Sequence, residues 1–212
     1  NGVKRICAVI PSYNEEENIS SVIKGVLKHN IDAVVIDDGS TDKTFKLAKE
    51  SGVFVIKHDK KRGKGASIRD GLDYAIEKDY DYVITIDADG QHNPDEIPLF
   101  IKEADADNDI GVVTGNRLAN PGEMPTVRFY TNKIMSSLIS LMCKQYIPDT
   151  QCGYKLIKKA VLKAISVKSK KFEVESELLV KVARSGFKIT SMPIRSIYAK
   201  EKSKINPFTD TI

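Results

Sequence analysis

Val83-Ile84-Thr85-Ile86-Asp87-Ala88-Asp89-Gly90-Gln91-His92-Asn93-Pro94-Asp95 is a strand that runs out into acids. Residues 83–86 are a β-branched apolar run, the signature of a buried strand. The run stops at two carboxylates one residue apart, Asp87 and Asp89, and Gln91 keeps the same spacing. Asn93, Pro94 and Glu96 then open a helix as N-cap, first helical residue and capping-box partner. Oxygen-bearing side chains thus crowd a turn at the carboxyl end of a buried strand, where open α/β sheets bind ligands. Hard oxygens in that number suit Mg²⁺ or Mn²⁺ held jointly by protein and substrate phosphates.

Other readings compete for this turn. The acids can simply cap the next helix. Strand-Asp-x-Asp-Gly also resembles the nucleophile loop of phosphatases that form an aspartyl phosphate, but those carry Thr or Val where Gln91 stands. An EF-hand loop is excluded, because no bidentate acid follows at the required distance.

Working outward, residues 5–10, 33–36, 53–56, 82–86 and 110–114 read as five apolar strands. Between them lie helical patterns: one capped by Asn14 with Glu17, one capped by Ser40 or Thr41, and one over residues 66–77. Alternation with short links predicts an α/β protein with a mostly parallel central sheet and helices on both faces. The polar residues after strands one, two, four and five all sit at carboxyl ends and are expected to converge on one edge. No Gly-x-Gly-x-x-Gly follows the first strand, Arg62-Gly63-Lys64-Gly65 lacks P-loop spacing, and no Gly-x-Ser-x-Gly elbow occurs. His29 and His58 read as surface residues, and His92 as a candidate contact of the acid turn.

A length of 212 residues suits a single domain. The net charge of +4, from 33 basic and 29 acidic residues, does not call for nucleic acid. Basic runs at residues 57–64 and 155–171 suggest phosphates or an anionic membrane surface. Three scattered cysteines, Cys7, Cys143 and Cys152, predict a reducing compartment and no zinc. No signal peptide is visible, and no run approaches the ~20 apolar residues of a membrane span. The chain stops at Asp210-Thr211-Ile212 without an evident end, which leaves room for a C-terminal membrane segment beyond it.

Four motifs in order, Pro11-Ser12-Tyr13-Asn14-Glu15, Asp37-Asp38-Gly39-Ser40-Thr41-Asp42, Arg62-Gly63-Lys64-Gly65-Ala66 and Asp87-Ala88-Asp89-Gly90-Gln91, resemble glycosyltransferase family 2 and its GT-A nucleotide-sugar-binding fold. The Asp-x-Asp-x-Gln form is similar to the polyprenyl-phosphate (dolichyl-phosphate) mannosyl- and glucosyltransferases, and Asp149-Thr150-Gln151-Cys152-Gly153-Tyr154-Lys155 to a segment of the glucosyl branch. The resemblance implies a nucleotide-sugar-binding half over residues 1–115 and an acceptor-binding half over 116–212. It implies that Pro11, Tyr13 and Glu15 border the nucleotide, that Asp37 or Asp38 bonds base or ribose, and that Lys64 lies nearby. Asp87, Asp89 and Gln91 would hold metal and diphosphate, Ala88 would border the nucleotide sugar, and Asp89, Arg117 and Arg128 would be catalytic. Arg117, Arg128 and Asn132 would receive the acceptor phosphate, since a guanidinium binds phosphate oxygens in pairs. Against the mannosyl synthases' Arg-x-x-Gly-x-Ser-Lys, Ser203 and Lys204 are present for the diphosphate, but Tyr198 and Glu201 replace the Arg and Gly.

The implied reaction is inverting, metal-dependent transfer of a hexose from UDP-glucose or GDP-mannose to a polyprenyl or dolichyl phosphate. The phosphate nucleophile needs no strong base, its second pKa being about 6. Glu173, Glu175 and Glu177 read as helix N-terminal charge, with one of them potentially serving the site from behind. Residues 127–144 carry an apolar stripe suited to lying in a membrane interface, or alternatively to core packing. The expected location is peripheral, on the cytoplasmic face of a membrane. Rival expectations are a family 2 transferase with a sugar hydroxyl acceptor, an aspartyl-phosphate phosphohydrolase, and a non-catalytic nucleotide-sugar binder.

Overall fold

The sheet is built from β1 (Ile6–Ser12), β2 (Asp32–Asp37), β3 (Phe54–Lys57), β4 (Tyr82–Thr85), β5 (Ile110–Asn116), β6 (Lys155–Lys158) and β7 (Lys188–Pro193), in the order β3-β2-β1-β4-β6-β5-β7. The computed structural model describes residues 4–165 and 174–197. β1 pairs in parallel with β2 and β4, β2 with β3, and β5 with β7. Only β6 runs the other way, antiparallel to both β4 and β5. The carboxyl ends of the other six therefore share one edge, and β6 brings its amino end to that same edge.

Strand alternation sorts the core into two layers. Ala8, Ile10, Val35, Ile84 and Leu156 pack under α1 (Ile19–Leu27), α2 (Thr44–Glu50) and α4 (Ile97–Asp105). Cys7, Val9, Val34, Ile36, Val83 and Ile157 face α3 (Lys64–Glu77), α5 (Thr126–Cys143), α6 (Lys159–Ala164) and α7 (Val174–Arg184). The mostly parallel sheet covered on both faces is as expected, and four of its helices follow the strand–helix alternation. The five expected strands are all present.

β6 is not among the expected strands: it lies between β4 and β5, a four-residue strand whose two end lysines hide it in a basic run. Two local expectations are corrected. Asn14 does not cap α1. It sits in the left-handed region at φ 54° and accepts a hydrogen bond from Thr41 N (2.9 Å), tying the β1 exit loop to the β2 exit loop, while Asn18 stands at the cap. Asn93 does cap its turn, accepting from Asp95 N at 3.0 Å. Glu96 does not close the capping box: its Oε1 accepts from Arg195 N at 3.0 Å.

α3 lies unusually close to the sheet. A Cβ on Gly71 would stand 2.3 Å from Val9 Cγ1 and 2.9 Å from Ile36 Cδ1. Gly71→Ala is therefore expected to destabilise by about 1–3 kcal/mol through overpacking, against a helix-propensity gain of no more than about 1 kcal/mol. Urea denaturation measures it; an unchanged or raised midpoint would contradict the close approach.

Candidate active site

The carboxyl edge carries the acids that the sequence singled out. Asp87 and Asp89 follow β4, with Ala88 between them turned into the core at 2% exposure. Lys64, the first residue of α3, lays its ammonium on the Asp87 carboxylate, 2.7 Å from Oδ1 and 2.9 Å from Oδ2. Burial alone would push Asp87 up, but the Lys64 charge and His92 outweigh it and hold the carboxyl well below the usual range. Burial would lower Lys64; Asp87 and Glu175 raise it instead. Asp89 is raised, by burial and then by the Asp87 charge, although its Oδ1 accepts from Gln91 N at 3.0 Å. His92 is buried, with Nε2 3.8 Å from Asp87 Oδ2 and Nδ1 lacking a hydrogen-bond partner.

The two acids after β2 have different fates. Asp38 is a structural hub. Its oxygens accept from Arg62 N (2.8 Å) and Gly63 N (2.8 Å), and His58 Nδ1 lies 2.7 Å away. His58 also reaches Asp70 Oδ2 at 2.9 Å through Nε2, so it is a buried clasp and not a surface residue. Asp37, fully buried at the end of β2, has no hydrogen-bond partner among the described residues on either carboxylate oxygen. A buried acceptor pair without donors is costly, and it is the kind of group that ligand hydroxyls or a base N–H would satisfy. Sequence left Asp37 and Asp38 interchangeable; their surroundings separate them.

The neighbouring loops are stitched together. Asn14 N donates to Ser40 Oγ (3.0 Å), Glu15 N to Thr44 Oγ1 (2.8 Å), and Asp42 accepts from Thr44 N (2.9 Å) and Glu16 N (3.2 Å). Pro11 is buried within β1, and the Tyr13 ring lies under Lys61 Nζ at 4.3 Å.

The three acceptor candidates also part company. Arg117 is buried in a bidentate pair with Asp149: Nε donates to Oδ2 at 2.8 Å and Nη2 to Oδ1 at 3.0 Å. Its guanidinium is committed to holding the 149–151 segment against β5. Arg128 and Asn132 lie one turn apart on α5; Arg128 makes no ion pair among the described residues, and Asn132 Nδ2 is a buried donor without a partner. Behind them, Val127, Tyr130, Ile134, Leu138 and Leu141 are 52–79% exposed. Ser203 and Lys204 lie outside the described residues.

Sequence reasoning missed the amino end of β6. Lys155 is fully buried, paired with Glu175 of α7 and donating to the Cys152 carbonyl, so the 155–171 run is not a solvent face where it begins. Gly153 packs directly on the acids; its Cβ would stand 2.5 Å from Asp87 Oδ2. Of the three acids read as helix-terminal charge, Glu173 lies outside the described residues, and only the fold reveals that Glu175 turns inward, with 5% exposure.

Comparison with known proteins identifies the family. A model of glycosyl transferase family 2 matches residues 7–166. The chain belongs to that family. It is 34% identical, over 93% of its length and 87% of the relative's, to a UDP-N-acetylglucosamine–dolichyl-phosphate N-acetylglucosaminyltransferase of Methanococcus voltae. It is 29% identical, over 90% and 82%, to a polyprenol monophosphomannose synthase of Mycolicibacterium smegmatis. Glucosyl-3-phosphoglycerate synthase of Mycobacterium tuberculosis, solved with Mg²⁺ and UDP, shares the fold at TM-score 0.72 and 20% identity, covering 94% of this chain and 73% of that one. The protein is thus a glycosyltransferase with the GT-A fold.

Asp149→Asn leaves Arg117 buried with a neutral partner and is expected to cost about 3–5 kcal/mol. Burial raises the Asp149 carboxyl, but Arg117 more than offsets this and holds it below its ordinary 3.8. That stabilisation is complete above the unfolded value and drains as pH falls below it toward the folded one. Denaturation midpoints between pH 7 and 2.5 check it: Asp149→Asn should lose part of the acid-limb slope, and an identical slope would refute the assignment.

Proposed function

We propose that this glycosyltransferase moves a hexose unit from a UDP-sugar to the phosphate of a polyprenyl or dolichyl chain, with inversion at the anomeric carbon, on the cytoplasmic face of a membrane. The observation that carries the acceptor is the closeness of Arg128 and Asn132, each with donors unpaired among the described residues, at the head of an exposed apolar stripe. A phosphate on those donors leaves its hydrocarbon chain alongside Tyr130, Ile134 and Leu138. The names of the Methanococcus and Mycolicibacterium relatives, both acting on polyprenyl-type acceptors, support the same reading. UDP is favoured over GDP by the Methanococcus relative's donor.

Asp37 would accept from base or ribose, and Lys64 would face the diphosphate. Asp87 and Asp89, with the Gln91 side-chain oxygen, fit a hard divalent cation, Mg²⁺ or Mn²⁺. Among the described residues no three acidic, His or Cys side chains are assembled as a metal cage, so the donor set suits an ion shared with substrate phosphates. Such an ion would supply charge stabilisation for the departing diphosphate. The phosphate acceptor arrives already ionised, so Arg128 needs only to orient it.

Among the described residues no helix is long and apolar enough to cross a membrane; contact along α5 is interfacial, through a face whose exposed side chains recur at helical spacing.

Thermal shift with UDP, GDP and Mn²⁺ tests the donor. Stabilisation grows as ligand exceeds its dissociation constant, about 2.7 kcal/mol at a hundredfold excess, and UDP with Mn²⁺ should give the largest shift. Asp89→Ala should abolish the metal-dependent part; a surviving shift removes Asp89 from the metal site. Flotation tests the surface: the protein should rise with anionic vesicles, and an Ile134→Asp/Leu138→Asp variant should stay behind. Wild type that fails to float would rule out α5 docking.

A further inference from the structure

Behind the acid turn lies a second layer of charge. Lys64 Nζ sits between two carboxylates, 2.7 Å from Asp87 Oδ1 and 3.4 Å from Glu175 Oε1. Glu175 is 5% exposed and its Oε1 accepts no hydrogen bond among the described residues. Its other oxygen is paired with Lys155, which is wholly buried and anchored on the Cys152 carbonyl. The set is two ammonium groups and two carboxylates, balanced and largely withdrawn from water. Buried charges tolerate imbalance poorly.

A divalent cation on Asp87 would upset that balance. The Lys64 ammonium occupies both Asp87 oxygens, and two cations on one carboxylate repel strongly where the dielectric is low. The acceptor nearest to hand is Glu175 Oε1. Roughly half an ångström of travel brings Lys64 Nζ into ordinary hydrogen-bond range of it. Gly153 keeps the path open, since a Cβ there would stand 2.9 Å from Lys64 Nζ. Lys155 prevents Glu175 from swinging away, because it fixes the far oxygen.

We propose that Glu175, held by Lys155, is a positioning residue that receives the Lys64 ammonium when a divalent cation takes Asp87. Lys64 is then the cation's substitute in the unliganded site, and Glu175 makes the exchange affordable. The inference rests on the metal reading of Asp87 and Asp89 given above and adds a partner for the displaced charge.

A double-mutant cycle on Mn²⁺ affinity tests it. Glu175→Gln alone would strand the Lys155 ammonium in the interior, so the variant is Glu175→Gln/Lys155→Met, which removes the pair as a neutral unit. Mn²⁺ is titrated at saturating UDP, by electron paramagnetic resonance of the free ion, into wild type, Glu175→Gln/Lys155→Met, Lys64→Met and the triple variant. With Lys64 present, the paired substitution should weaken Mn²⁺ binding on the order of tenfold. In the Lys64→Met background it should change nothing, because no ammonium needs a new partner. Equal weakening in both backgrounds would mean that Glu175 only shapes the site, and would overturn the inference while leaving the metal reading intact. Wild type that binds no Mn²⁺ would remove the metal reading itself, and this inference with it.

Discussion

An ammonium lying on a carboxylate, Lys64 on Asp87, is the contact on which the site depends. Parallel strands deliver their carboxyl ends to one edge, and in this chain several of those ends are acidic. Asp37, Asp38, Asp87 and Asp89 cannot crowd together without compensation. The fold supplies it piecemeal: Lys64 for Asp87, the backbone amides of Arg62 and Gly63 for Asp38, and His58 as a clasp between Asp38 and Asp70. Asp37 is left without a donor among the described residues. Unequal satisfaction distinguishes structural acids from those that await a ligand.

β6 is the second determinant. As the single reversed strand among the described residues, it introduces its amino end where the other six strands end. That brings Gly153 onto Asp87 and Lys155 under Glu175, so the segment between α5 and β6 builds the floor of the site. The same segment contains Asp149, whose pair with Arg117 ties it to the exit of β5. The exit of β5 is thus braced by a committed arginine, while Arg128, eleven positions on, makes no ion pair among the described residues.

Much of this was legible in the chain itself. Apolar strand runs separated by amphipathic helices impose a parallel sheet, because short right-handed crossovers allow little else. The acids after strands two and four announce the edge, since a buried run that ends in carboxylates must end at solvent or ligand. Four motifs in order place the chain in its family, and the Asn93 cap followed from local hydrogen bonding alone.

What only the tertiary structure decided are matters of direction and partner. Sequence cannot say which of Asp37 and Asp38 is satisfied, because both have the same local pattern and differ only in the loop folded over them. It cannot separate Arg117 from Arg128, since the carboxylate that claims Arg117 lies 32 positions away. Lys155 reads as one more lysine in a basic run until β6 pairs between β4 and β5 and turns it inward. Glu175 reads as helix-terminal charge until α7 packs against α3. Local propensity acts over a few residues, whereas charge pairing across a sheet edge is settled by contacts remote in sequence, and that is where this site acquires its chemistry.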